Sequence, residues 1–356
     1  MPKALREILR IFLRLGLLGF GGPVAVIAMM EEEVSRRRKW VSASRFSEMY
    51  AVCKMLPGPV ATQMAIYLGY TKAGIRGGLT AGIFFILPSF LLVLGLSYFY
   101  VRSPSLSQLD YLFLAMQAAA LGVILQSLFQ MAKPYKKEVG AWFIMASAAL
   151  ITGFYPGYEP WVILICGISG ALFASKVRSP FSLAELFWVC FKAGAFVFGT
   201  GLAVVPVLEA DVVLKYGWLT HKEFLDGLVM GQITPGPVVI TATFLGYKSM
   251  GFEGALVATF AIFLPAFINI LFLVPRIWAR FSGTAAAKGF VGWAIPAVIG
   301  GIAGTLTQLV GKSLTAPTYI GIFLISTIAG IRFGMPAWAL IPVAGLASTL
   351  LHYLGT

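Results

Sequence analysis

The sequence predicts an all-α polytopic membrane protein made of two inverted-topology repeats of about five transmembrane helices each, with some helices re-entrant or broken by glycine and proline. Three observations predict this fold: composition, a self-match between the two halves, and a reversal of loop charge. Hydrophobic residues form 59% of the 356 residues and charged residues only 12%, about half the charged share of a soluble domain. Mean hydropathy is +0.87. Gly77–Val101, Tyr111–Ala132, Val139–Tyr158, Gly254–Pro275, Gly289–Gly311, Ser313–Ile331 and Phe333–Leu351 carry no Lys, Arg, Asp or Glu. Each is close to the ~20 residues that cross a bilayer as a helix. None alternates with period two, which argues against a β-barrel.

The self-match appears when the chain is slid by 178 residues. Phe20–Gly21 falls on Phe198–Gly199, Glu31 on Glu209, Trp40 on Trp218, and Pro57–Gly58–Pro59 on Pro235–Gly236–Pro237. After one residue is lost, "YLGYTKAGIRGG" falls on "FLGYKSMGFEGA" and Pro88 on Pro265. An ordered series of this kind marks an internal repeat. The expected domains are residues 1–178 and 179–356.

Taken in order, the chain opens on "MPKALREILRIFLRLG", whose charges fall at helical spacing and suit an interfacial start rather than a cleaved signal. The next segment, Leu15–Met30, is split by "GFGGP", and Met55–Thr71 begins on the first PGP triplet. In the second half Ala193–Leu208 carries "FGTG" and Gly227–Tyr247 the second triplet. Paired broken segments at corresponding positions point to a carrier's binding site.

Lys and Arg are dense at Arg36–Lys39 and Lys133–Lys137, and sparse at 102–110. The second half reverses this, with Arg276, Arg280 and Lys288 in the loop matching the sparse one. Dense basic loops stay cytoplasmic, so the halves are expected to be inverted, with one of six segments re-entrant and ten crossings in all. The net charge of +13 has the same explanation, and nucleic acid is not an expected partner. Gly74, Gly78 and Gly82, at four-residue spacing, are expected to form a close-packed helix seam.

A helix that starts after PGP presents free N–H groups and a positive dipole end, which suits an anion. The expected binding residues are therefore Gly21, Gly22, Pro23, Pro57, Gly58, Pro59, Gln63, Gly199, Thr200, Gly201, Thr234, Pro235, Gly236 and Pro237. Arg14, Lys192 and Lys54 add positive charge; basic residues inside a membrane are costly and tend to be functional. Arg14 also suits snorkelling to an interface. Glu31 and Glu209 are proton-coupling candidates; the alternative is surface pairing with Arg36–Arg38 and Lys215. Cys53, Cys166 and Cys190 lack CxxC spacing and there are two histidines, so no metal or cofactor is expected. No Walker loop, HExxH or GxSxG occurs, so the chain is not expected to be an enzyme.

"FGGPVAVIAMMEEEVSRRRKWVS", "LPGPVATQMAIYLGY" and "FGTGLAVVPVLEADVVLKYGWLTHKEFLDGLVMGQITPGPVVITATFLGY" resemble the chromate transporter family in its long, two-domain form. The resemblance runs through both halves. It implies two homologous domains of opposite orientation in the inner membrane, exporting chromate under the proton motive force. Phe20–Pro23, Glu31, Trp40, Pro57–Pro59, Gln63, Phe198–Gly201, Glu209, Trp218 and Pro235–Pro237 match the family pattern. The expected partners are chromate or a similar tetrahedral oxyanion and the lipid bilayer, with a homodimer left open. A carrier of sulfate or another oxyanion, working in either direction, a passive anion channel and a non-transporting sensor are the alternatives from residues alone.

Overall fold

Proline, glycine and polar caps set the helix ends. The computed structural model describes residues 2–20, 22–102, 110–132, 139–154, 182–197, 202, 204–278, 296, 299–300, 302–304, 306–307, 309–311, 314 and 316–355, and among these there is no β-strand. In the first half the helices are α1 (Lys3–Leu18), α2 (Gly22–Met30, continued by a π-helical stretch Glu31–Arg37), α3 (Ala43–Met55), α4 (Val60–Arg102), α5 (Asp110–Ala132) and α6 (Val139–Phe154). In the second half they are α7 (Leu183–Ala195), α8 (Val204–Glu209, continued by π-helical Ala210–Lys215) and α9 (His221–Ile233). There follow a 3₁₀ turn Val238–Ile240, α10 (Thr241–Ile268, continued by π-helical Asn269–Trp278), α11 (Pro317–Phe333) and α12 (Ala337–Gly355).

Ser42 caps α3 by accepting from the Arg45 N–H. Ser182 with Glu185 and Thr220 with Glu223 form capping boxes on α7 and α9. α3 and α9 stop at Leu56 (φ −88°, ψ 144°) and Thr234 (φ −84°, ψ 148°). Both precede a proline, whose ring drives the preceding residue out of the helical region.

α4 is not one straight rod. Ala73 (φ −148°, ψ 32°) and Gly74 (φ 60°, ψ −153°) reverse it, and Met250 (φ −142°, ψ 24°) and Gly251 (φ 65°, ψ −149°) do the same to α10. A Cβ on Gly69 would lie 2.3 Å from the Gly77 carbonyl oxygen, and one on Gly246 2.2 Å from that of Gly254. A straight helix would hold residues eight apart at about 12 Å. The arm 60–72 is therefore folded back on 75–102, backbone against backbone. With α3 it makes a hairpin whose arms, about 20 Å each, are too short to cross a bilayer. This hairpin is the re-entrant segment expected from the sequence, and α9 with the first arm of α10 repeats it. Gly74 belongs to the turn and has open space around it, so it lies outside the expected seam; Gly78 and Gly82 do pack, against Ile66, Leu271 and Phe267.

α4 fixes how the repeats are related. Beside its reversing turn, Lys72 Nζ lies 4.8 Å from the Trp40 ring centroid, next to the start of α3. Its far end, about 40 Å away, meets the start of the second hairpin, where the Tyr100 hydroxyl donates to Asp226 at 2.6 Å. There too Lys248 pairs with Glu223 at 3.1 Å, beside the Gly251 turn. The hairpins enter from opposite ends of α4, which is an inverted arrangement. The count of five crossings per half rests partly on residues 155–181 and 279–295, outside the described residues.

The two halves also share their cores. Ala266, Ile270, Leu271 and Val274 of the second repeat pack with Ile8, Phe12, Met64 and Phe85 of the first. Ile86 and Val93 of α4 pack with Val205, Phe224 and Phe244 of the second. The glycines Gly16 and Gly194 let α1 and α7 press onto the long helices, at the carbonyls of Phe85 and Ile262 respectively. Outward faces carry Leu91, Phe99, Phe143, Phe260, Ile325 and Leu346, all exposed, as helices facing lipid require.

Two outcomes are expected. In a background lacking Cys166, Lys72→Cys and Lys248→Cys should react with an impermeant thiol reagent from opposite faces of oriented vesicles. Gly69→Val and Gly246→Val should each cost about 1–3 kcal/mol, the usual penalty for overpacking, read as a lowered midpoint of unfolding in detergent. Gly95→Ala, which meets nothing within 4 Å, should leave that midpoint within a degree or two.

Candidate functional site

The two PGP turns are wired to each other's repeat. Gly58 N–H donates to the Val197 carbonyl at 2.5 Å, and Gly236 N–H donates to the Gly19 carbonyl at 3.0 Å. Val197 and Gly19 occupy matching positions, each just before a glycine-rich break. Each turn thus seats on the mouth of the opposite repeat's broken helix. Gly58 (φ +131°) and Gly236 (φ +106°) hold backbone conformations that L side chains rarely adopt. A Cβ would also collide with Gln63 Nε2 at 2.5 Å or Ser89 Oγ at 2.9 Å.

The Pro57 carbonyl accepts from Gln63 Nε2 and from Asn269 Nδ2, both at 2.7 Å. Asn269 belongs to the other repeat, so the first turn is held across the interface twice. The matching position in the first repeat is Leu92, which cannot donate to Pro235.

The glycine N–H groups are thus committed to protein carbonyls. The groups that remain are at the start of α4, where Gln63 N–H is the first to find an i−4 acceptor, at Pro59. The N–H groups of Val60, Ala61 and Thr62 precede it and have no intrahelical partner. Thr62 Oγ1, Gln63 Oε1 and Gln232 Nε2 are buried without a hydrogen-bond partner among the described residues. The second turn is tighter: a 3₁₀ turn returns Ile240 N–H to Pro237, and the Thr241 hydroxyl donates to Val238. Thr234 Oγ1 donates back to Met230. Chemically, the first turn offers hydrogen-bond donors around a positive helix end in a dry setting, an arrangement suited to an anion.

Comparison with known proteins gives this geometry its context. The chromate transporter family model matches residues 6–171 and again residues 184–349. The chain belongs to the chromate transporter family. The chromate transport protein of Cupriavidus metallidurans is 36% identical, over 87% of this chain and 84% of that protein. The probable chromate transport protein of Synechococcus elongatus is 34% identical over 98% and 95%, and the chromate transport protein of Pseudomonas aeruginosa 30% over 98% and 93%. No solved structure matches the chain. As a member of this family, the chain is a membrane transporter whose substrate class is oxyanions.

The other predicted residues of this transporter are distributed as follows. Gly22 and Pro23 open α2; Gly21, Gly199, Thr200 and Gly201 lie outside the described residues. Arg14 is exposed on α1 and makes no ion pair among the described residues. Lys54 is exposed at the end of α3, its ammonium 5.0 Å from the Tyr50 ring centroid. Lys192 is paired with the buried Asp211 of its own repeat, so its charge is balanced locally. Glu31 faces Arg36 at 3.9 Å and is partly exposed, in keeping with the surface-pairing alternative. Glu209 faces His221 of its own repeat. It is buried, with Oε1 3.0 Å from His221 Nδ1.

Two interface residues escaped the sequence reading, Asn269 and Asp226. Asn269 is the one amide within Gly254–Pro275, a signal that could have found it. Asp226 falls on Glu48 under the 178-residue shift, continuing the series of matched acids.

Asn269→Leu, which installs the first repeat's residue, should cost about 1 kcal/mol, the net worth of one hydrogen bond, measured by thermal unfolding. Gly58→Ala should lose transport while Gly217→Ala, also at positive φ but with open space around it, should keep it.

Proposed function

We propose that this chain is a secondary carrier that exports chromate from the cytoplasm across the inner membrane, driven by the proton motive force. The oxyanion binds at the repeat interface, at the first PGP turn. The observation carrying this reading is the cluster of uncommitted donors there: the N–H groups of Val60, Ala61 and Thr62, with the Thr62 hydroxyl buried and unpartnered. Gln232, buried in the hairpin of the second repeat with a free amide nitrogen, supplies a further donor. A tetrahedral dianion accepts from all of these without needing a fixed counter-ion. Arg14 and Lys54, exposed and basic, attract the anion toward the site by long-range field.

Inverted repeats provide alternating access by rocking one repeat on the other. The cross-bonded turns link the two repeats, and each turn faces the opening of the opposite repeat. For proton coupling, Glu209 is favoured over Glu31 because it is buried and lies 3.0 Å from a second titratable group, His221. The basic end of the molecule, with Arg36–Lys39, Arg45 and Lys72, faces the cytoplasm by the positive-inside rule.

Purified chain in liposomes should take up radiolabelled chromate against its gradient when a pH gradient is imposed. Thr62→Val and Gln232→Leu should each raise KM about tenfold or more, the scale of one hydrogen bond to a charged group. Sulfate in excess reports selectivity: strong competition would widen the substrate from chromate to tetrahedral dianions generally. Failure of the intact chain to move chromate would overturn the reading.

A further inference from the structure

α1 carries a row of uncompensated cations. Lys3, Arg6, Arg10 and Arg14, spaced three and four apart, share one face of the helix. All four are exposed, and none makes an ion pair among the described residues. The opposite face buries Ile8, Phe12 and Leu15 in one core with Ala81 and Phe85 of α4. Glu7, the one acid on α1, is taken by Arg38, whose Nη1 lies 2.8 Å from it.

Packing sets this row along the depth of the membrane. The Glu7–Arg38 pair ties the start of α1 to the end of the π-helical stretch after α2, so α1 and α2 form a hairpin with Gly19 and Phe20 at its tip. Its open end lies with the basic residues Arg36–Lys39, the cytoplasmic side by the positive-inside rule. Near the tip, Gly16 rests on the Phe85 carbonyl. Phe85 is about 15 Å along α4 from the reversing turn, half the thickness of the hydrocarbon. Arg14 therefore stands about 12 Å further in than Arg6, near mid-membrane, where a cation is costly against lipid. The matching positions of α7 show a different surface: Ala184, Trp188 at 62% exposure, and Lys192, which is paired with Asp211.

We propose that the cationic face of α1 lines a water-filled entry from the cytoplasm, along which the oxyanion passes from Arg6 to Arg10 to Arg14 before it reaches the repeat interface. The inference rests on the carrier reading above and adds the approach to its binding site. Successive arginines are about 6 Å apart along the helix, so an anion leaving one meets the next. With no carboxylate paired to them, their guanidinium forks are open to the oxygens of an oxyanion. Being hydrated, each holds the anion weakly enough to pass it on. Beyond Arg14 the same face turns apolar at Leu17, 49% exposed, and the tip residue Gly19 accepts from the Gly236 N–H of the second PGP turn. The row thus ends at the interface between the repeats. Because α7 has no equivalent row, the entry is one-sided, which suits a carrier that loads from the cytoplasm.

The test reads accessibility and transport separately, on the full chain. Cys53 and Cys190 are buried, so a background lacking Cys166 is used. Arg10→Cys and Arg14→Cys should react with an impermeant thiol reagent added at the cytoplasmic face, and Trp188→Cys should stay inert. Chromate should slow labelling at both arginine positions at least threefold. In proteoliposomes, Arg10→Gln combined with Arg14→Gln should raise KM for chromate at the cytoplasmic face about tenfold, with kcat within twofold. That difference should vanish in concentrated inert salt, which screens steering, and the paired Arg→Lys changes should restore KM to within about threefold; a purely structural role would show neither. Inert thiols at 10 and 14 would overturn the entry, as would an unmoved KM. Labelling that chromate does not slow would also overturn it, and would assign the row to anionic lipid headgroups. Failure of the unmodified chain to move chromate would instead overturn the carrier reading.

Discussion

Two backbone hydrogen bonds, Gly58 N–H to the Val197 carbonyl and Gly236 N–H to the Gly19 carbonyl, are the constraint on which the rest of the architecture turns. Inside a bilayer an unpaired N–H or carbonyl costs several kcal/mol, so a broken helix survives there only if its freed groups find partners. Here each repeat supplies the partners for the other. The breaks in α1–α2 and α7–α8 expose carbonyls, the PGP turns expose N–H groups, and the inversion brings one to the other. Glycine is required at 58 and 236 because the turns need positive φ and the backbones must nearly touch. The hairpins that carry these turns, folded tightly at Gly69–Gly77 and Gly246–Gly254, set how far each turn reaches into the membrane.

Inversion symmetry of the backbone coexists with a marked difference in charge. At the matched acid positions, Glu31, Glu33 and Glu48 of the first repeat are paired with arginines and partly or fully exposed. Their counterparts Glu209, Asp211 and Asp226 are buried, with His221, Lys192 and Tyr100 as partners. Helix starts differ in the opposite sense, since the first repeat leaves donors uncommitted where the second closes a 3₁₀ turn. The two repeats are thus similar scaffolds that differ in side-chain chemistry: uncommitted donors at the helix start of one, buried and partnered acids in the other.

Much of this was legible in the sequence. The self-match fixed the repeat, loop charge gave the inversion, and PGP located the breaks, because proline and glycine act on their own backbone whatever surrounds them. The reversal at Ala73–Gly74 was not legible: Gly74 fits a four-residue glycine spacing as well as a turn, and only the tertiary approach of Gly69 to Gly77 distinguishes them. Nor could the pattern tell that Gly58 would donate to Val197 and Gly236 to Gly19, since a helix-start N–H looks the same with or without a partner far along the chain. Lys54 and Lys192 stood out as charges near the breaks. Their actual neighbours, Tyr50 and Asp211, depend on which way each helix faces once packed.

The exchange of long helices between the two cores has a consequence for biosynthesis. The first repeat leaves the ribosome well before Ala266, Ile270, Leu271 and Val274, which complete its packing. Until α10 has entered the membrane, the first hairpin lacks its inner wall and Pro57 lacks Asn269. Folding of the first half is therefore a late event, tied to insertion of the second. An interruption of translation between the repeats would leave a half-chain with its re-entrant backbone open to lipid, the kind of intermediate that membrane quality control removes.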